Sequence, residues 1–163
     1  METIWKPNTT VAAVIERDGK FLLVEEETDE GVRFNQPAGH LDEGESLYDA
    51  VIRETLEETT HHFVPRFIVG IYQWQRPALD ATQKTTYLRF AFGGEVTEEV
   101  AEDVAGEVAG EALDKGILRA LWLTLDEIKA EKKRHRSPLV MQCITDYLAG
   151  KSYSLELIQT LPL

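Results

Sequence analysis

The sequence predicts an α/β or α+β sandwich with its sheet in the middle, on three observations. Apolar runs of strand length alternate with polar turns, an Asp-Gly pair separates the first two runs, and helix-capping patterns open the segments with helical periodicity. Thr10 to Arg17 and Lys20 to Glu25 read as two strands, because Asp18-Gly19 supplies the positive φ angles of a type I′ hairpin. The run Phe21 to Val24 is nearly continuously apolar, so this sheet should be covered on both faces. Phe34 to Gly39 is a short extended piece and Glu43-Gly44-Glu45 a turn.

A helix should follow. Ser46 can cap it against Asp49, and Leu47, Ala50, Val51 and Leu56 give it an inward face. Strands are expected at Phe67 to Gln75 and Thr85 to Val96, forming a long antiparallel hairpin across Arg76-Pro77 and the polar residues Asp80 to Lys84. From Glu95 to Asp114 there are eight acidic residues, no basic one, and the near-repeat Val-Ala-Gly-Glu-Val-Ala-Gly-Glu from Val104 to Glu111. This composition reads as an acidic insertion near 97–114 with weak structure. Val100, Val104 and Val108 have helical spacing, but Gly106 and Gly110 oppose a helix. Ile117 to Leu123 is expected as the last strand. Thr124 with Glu127 has capping-box spacing, and Ser137-Pro138 with Gly150 bracket a final helix carrying Leu139, Val140, Cys143, Ile144, Tyr147 and Leu148.

At 163 residues the chain reads as one domain, 1–163, able to bury a core of its own. No apolar run approaches the length of a membrane span, and Met1 to Pro7 has no basic region followed by an apolar stretch, so a cytoplasmic location is expected. The lone Cys143 cannot form an internal disulfide and reads as a small core residue. A net charge of −12 repels polyanions, which argues against nucleic acid as a partner while leaving room for a small anionic substrate bridged by a metal.

The chemistry lies between Gly39 and Glu58. On a helix, Glu54, Glu57 and Glu58 are three and four residues apart and can reach one another. Clustered like charge destabilises an empty helix, and a hard divalent cation such as Mg²⁺ removes the conflict by taking oxygen ligands. A merely solvated face would interleave lysine with glutamate, whereas the base here is Arg53, placed to pair with Glu57 or with Glu45 and pin the loop against the helix.

Gly39, Glu45, Arg53, Glu54, Glu57 and Glu58 fall in the register of the Nudix box, a coincidence on the order of 10⁻⁷ at a given start from ordinary residue frequencies. The chain therefore resembles the Nudix family. Thr55 stands where the box has an aliphatic residue, Thr60 replaces its closing glycine and His61 its final aliphatic; Thr60 must adopt a positive φ or the helix must end differently. Further segments, Asn35 to His40, Gln73-Trp74, Leu88 to Phe90 and Arg136 to Val140, are similar to a phosphatase branch of that family.

The resemblance implies a Nudix-type α-β-α sandwich with a mixed central sheet, and metal-dependent hydrolysis of phosphoanhydrides: nucleoside triphosphates and diphosphates, and hydroxymethylpyrimidine diphosphate. It implies Mg²⁺, with Mn²⁺ as a substitute, held by the Gly39 carbonyl and by Glu54, Glu57 and Glu58, with Glu45 and Arg53 supporting the box. Glu54, Glu111 and Asp114 compete as general base. Asn35 and Gln36 are candidates to read a ring edge, Trp74 to stack on it and Arg89 to reach a phosphate, although surface pairing is the simpler role for Arg89, Arg33 and Lys20. Core packing is expected for Tyr72, a structural role for His40, and complementation of a helix end for the basic run Lys129 to Arg136. Three alternatives stay open: a non-catalytic nucleotide sensor, an interaction module using the acidic stretch, and a pyrophosphatase of oxidised nucleotides.

Overall fold

A computed structural model of the protein describes residues 1–78, 84–99 and 115–162. The first hairpin forms as its turn chemistry requires: β1 (Asn8–Arg17) and β2 (Lys20–Thr28) are joined by Asp18 at φ 52° and Gly19 at φ 76°. Next come β3 (Gly31–Asn35), β4 (Ala38–His40), α1 (Leu47–Thr59), β5 (His61–Arg76), β6 (Thr85–Glu99), β7 (Ile117–Thr124), α2 (Leu125–Ala130) and α3 (Leu139–Leu148). The acidic residues 100–114, including the valine series, Glu111 and Asp114, lie outside the described residues, as do 79–83.

The strands form one mixed sheet. Its path runs β3-β2-β1-β6-β5, with β4 added antiparallel to β1 and β7 antiparallel to β2. β1 and β6 run parallel and the other pairs antiparallel. β1 meets β2 only at Glu16↔Phe21 and Arg17↔Lys20, so the two splay apart beyond the hairpin and β4 pairs β1 further along.

Both faces are covered. Val11, Ala13, Ile15, Leu22, Phe63 and Phe92 pack with Ala50 and Val51 of α1, while Val14, Phe21, Leu23, Val69 and Ala91 pack with Ile128 of α2 and Cys143 and Ile144 of α3. Alternation along β1 and β2 sends successive side chains to opposite cores, which is why Phe21 to Val24 is apolar throughout. Among the described residues, no helix is long and apolar enough to cross a membrane.

Two expectations change. The long hairpin begins at His61 rather than Phe67, and the extra strand is irregular, with register shifts at His61/Phe63 and Pro65/Phe67 where proline cannot donate to a ladder. The inward face of α1 uses Thr55 instead of Leu56: Thr55 is wholly buried four residues after Val51 and donates its hydroxyl to the Val51 carbonyl at 2.8 Å, while Leu56 is half-buried.

Candidate active site

Helix α1 is positioned at both ends. The Ser46 hydroxyl accepts the Asp49 N–H at 3.0 Å, and Thr60 ends the helix in the left-handed region at φ 63°, its N–H donating to the Leu56 carbonyl at 2.9 Å. Thr60 thus takes the conformation that glycine adopts more readily.

The three glutamates do not share one environment. Glu54 and Glu58 are 6% and 5% exposed and line a cleft of about 330 Å³, whereas the Glu57 side chain is 41% exposed and lies outside that lining. At 100° per residue, Glu58 falls almost below Glu54, and Glu57 falls on the solvent shoulder. Among the described residues, no three acidic or imidazole side chains already form a closed cation cage.

Two strands of evidence nevertheless fit a hard cation at this end of the cleft. A Cβ on Gly39 would stand 2.1 Å from the Glu54 Cδ and within 2.3 Å of both its oxygens, so only glycine lets that carboxylate press on the β4 backbone. Glu58 Oε2 accepts the Ala38 N–H at 3.2 Å, which brings a second carboxylate to the same short strand. Oxygen donors of this kind suit Mg²⁺.

Arg53 organises this edge. Its Nε and Nη2 bind Glu45 Oε2 and Oε1 at 3.0 and 2.6 Å, and Nη1 reaches Glu54 at 2.8 Å and Glu57 at 3.2 Å. Nη2 also donates to the His40 carbonyl at 3.0 Å. The Arg53 hydrogen bond holds the Glu45 carboxyl below its ordinary pKa, and the Glu45 and Glu54 hydrogen bonds raise that of Arg53, so both stay charged at neutral pH. The exposed His40 lines the cleft mouth and contributes its backbone to this network.

The rest of the cleft lining is largely cationic and aromatic. Arg76, Arg89, Lys115 and Arg136 line the cleft, together with Trp74 and Tyr87, whose rings stack at 5.7 Å and 24°. Surface pairing, expected as the simpler role for Arg89, is overturned: the residue is 5% exposed and gives Nη1 to Gln36 Oε1 at 3.0 Å and Nη2 to Asn35 Oδ1 at 3.1 Å. Burial of a guanidinium demands such partners. Gln36, expected to read a ring edge, is only 1% exposed, is not among the cleft residues, and spends its amide N–H on the Val140 carbonyl at 2.7 Å; it orients Arg89 instead. Asn35 does line the cleft.

Arg33 and Lys20 stand outside the cleft, Arg33 donating to the adjacent Val32 carbonyl and Lys20 exposed at the hairpin turn. Tyr72 packs on the second core and donates its hydroxyl to Asp146 at 2.8 Å. The basic run has a larger part than complementing a helix end. Arg134 pairs with Glu25 and covers the Phe34 ring at 4.4 Å, and Arg136 enters the cleft. The sequence does not single out Glu26, Arg76, Tyr87 or Lys115 as site residues, and it names Arg136 only within the segment Arg136 to Val140 and the basic run. For Arg136 the adjoining Ser-Pro-Leu-Val segment was the available signal; Glu26 sits in a run of three glutamates that reads as a solvated face.

Residues 6–143 match the NUDIX domain family. The chain is 37% identical over 155 residues to the phosphatase NudJ of Escherichia coli (strain K12), covering 95% of this chain and 92% of that protein; the Shigella flexneri phosphatase NudJ matches equally. A NUDIX hydrolase from Nitrosomonas europaea superposes with a TM-score of 0.84 at 50% identity, covering 96% of this chain and 98% of the other. A MutT protein from Methanosarcina mazei Go1, at 22% identity and a TM-score of 0.66 over 92% of this chain and all of the other, shares the fold.

Proposed function

Because this chain belongs to the NUDIX family and is a hydrolase acting on phosphoanhydrides, we propose that it is a Mg²⁺-dependent phosphatase of nucleoside triphosphates, nucleoside diphosphates and hydroxymethylpyrimidine diphosphate. The observation that carries this reading is one cleft lined both by the helix carboxylates Glu54 and Glu58, next to Gly39, and by the cations Arg76, Arg89, Lys115 and Arg136. A polyphosphate fits such a site because its charge is divided between a metal on the acidic side and guanidinium groups on the basic side. In a protein of net charge −12, that local cationic wall supplies the attraction the surface as a whole does not.

The Gly39 carbonyl and Glu54, Glu57 and Glu58 would hold the cation, with Mn²⁺ able to replace Mg²⁺. When bound, it activates the phosphoryl group as a Lewis acid and lowers the pKa of an attacking water. The chain's own residues do the rest. Arg53 keeps the carboxylates aimed and the Glu45 loop closed, Arg89 and Arg136 hold phosphate oxygens, and Trp74 with Tyr87 gives a flat apolar surface to a ring. A glutamate would take the proton from the attacking water, and Glu54, buried against Gly39, is the candidate among the described residues. Residues 1–163 act as one domain, with the acidic stretch as an insertion.

The test is release of orthophosphate and pyrophosphate from the named substrates, with Mg²⁺ and with chelator. Metal-dependent orthophosphate release supports the proposal. Binding of nucleotide without release from any substrate would instead favour a sensor, against which the complete set of box carboxylates now speaks.

A further inference from the structure

Glu26 is a carboxylate in the cleft wall that the hydrolytic reading does not use. It extends from β2 with its side chain 19% exposed, opposite Ile117 of β7, and lines the cleft beside Asn35 and Arg136. Its Oε1 is buried and receives no hydrogen bond among the described residues: Arg136 Nε stands 3.3 Å away as an ion pair without hydrogen-bond geometry. An acceptor left in that state inside a ligand-sized cleft is complementary to a donor the protein itself does not supply.

The neighbours define which donor. Val140 fixes Gln36, Gln36 fixes Arg89, and Arg89 binds Asn35 Oδ1, so the Asn35 amide has its oxygen occupied and its nitrogen left as the donor, in the same cleft lining as Glu26. An amide nitrogen carries hydrogens that it can donate to a ligand. The wall therefore offers an N–H donor beside a carboxylate acceptor. Its complement is a ring nitrogen beside an exocyclic amino group, the edge presented by adenine, cytosine and 4-aminopyrimidines. A ring bearing an oxo group in the same pose would set a carbonyl lone pair against the carboxylate.

We propose that Glu26 is a specificity-determining residue that accepts a hydrogen bond from the amino group of the substrate's heteroaromatic ring, with Asn35 donating to the adjacent ring nitrogen. The proposal rests on the reading of this cleft as the substrate site. Burial pushes the Glu26 carboxyl up from its ordinary pKa, while the nearby positive charges of Arg136 and Arg89 oppose that shift.

The experiment measures binding of AMP against IMP, and of CMP against UMP, to the Mg²⁺-loaded protein by titration calorimetry. These ligands have no anhydride bond to cut, and each pair differs at the amino or oxo group and the adjoining ring proton. The native protein should bind the amino member roughly tenfold or more tightly, because the oxo member leaves buried acceptors facing each other. Glu26→Gln, whose amide can present either a donor or an acceptor, should bring each ratio to within about threefold. Equal affinities in the native protein, a comparison that needs no variant, would overturn the proposal, as would an undiminished ratio in a folded Glu26→Gln. The expected ratios without turnover of any triphosphate in a parallel assay would leave Glu26 in its role and count against the hydrolase reading alone.

Discussion

Arg53 and Glu45 form a two-point ion pair, Nε to Oε2 at 3.0 Å and Nη2 to Oε1 at 2.6 Å, that fastens the loop before α1 to the middle of the helix. The same guanidinium reaches Glu54 and Glu57 through Nη1, so the fork sets the positions of carboxylates it does not itself replace. Lysine keeps the charge and loses the fork. Arg53→Lys should therefore lower kcat by roughly 10- to 100-fold and raise the Mg²⁺ concentration for half-maximal rate, as expected when an outer partner of a metal ligand is removed. Rates measured across a Mg²⁺ series check this; an unchanged Mg²⁺ dependence would remove Arg53 from its positioning role.

Gly39→Ala places a Cβ where the Glu54 carboxylate now lies. The carboxylate is the far end of a flexible chain, so the fold should survive while Glu54 moves aside. Displacement of a reacting group by about 1 Å diminishes rate on the order of 100-fold. Turnover should fall by that amount with the far-ultraviolet circular dichroism spectrum unchanged, and full activity in the alanine variant would show that Glu54 need not contact β4.

Glu57→Gln separates chemistry from stability. Its side chain is exposed, so substitution should move the melting temperature by no more than about 2 °C. If Glu57 swings in to join Glu54 and Glu58 on the cation, turnover nevertheless falls on the order of 100-fold or more. Retention of full turnover would restrict the metal set to the two carboxylates that line the cleft.

Much of this was legible in the sequence because it is local. Asp18-Gly19 dictates a hairpin, Ser46 and Thr124 cap the helices they precede, and the box places its carboxylates by spacing alone. The cationic wall is not local. Arg89 meets Asn35 and Gln36 across more than fifty residues, in a parallel β1–β6 pairing that no short pattern announces, so its burial was invisible. The exposure of Glu57 is hidden from the sequence for a finer reason. Three positions on one broad helical face share spacing, but which shoulder meets solvent depends on how α1 rolls against β4 and β5, and packing decides that.

Thr60 is a place where the sequence works against its own backbone. A β-branched residue at φ 63° is strained by about 1–2 kcal/mol, while glycine gives back part of that through the greater freedom of its unfolded chain. The net gain for Thr60→Gly should be about 0.5–1 kcal/mol, or roughly 2–3 °C in melting temperature, since the N–H bond to Leu56 is retained. Differential scanning calorimetry checks it, and a lower melting temperature would mean that the threonine side chain holds the helix end.

Glu25 predicts the acid limb of stability. The carboxylate is 8% exposed and accepts hydrogen bonds from Arg119 and from Arg134, the latter at 2.7 Å. The Arg119 hydrogen bond is the largest influence and, with Arg134, holds its pKa below the ordinary carboxylate value despite burial. A pKa that is lower in the folded state means the unfolded chain binds the proton more readily, so the stabilisation is present at neutral pH and is lost as pH falls through the folded value. Arg119→Gln removes the strongest partner. Its urea midpoint should lie below that of the native protein at pH 7, and the gap should narrow by pH 4 as the unfolded carboxyl takes up its proton. A gap that stays constant between the two pH values would assign the loss to packing of the arginine stem and not to the charge on Glu25.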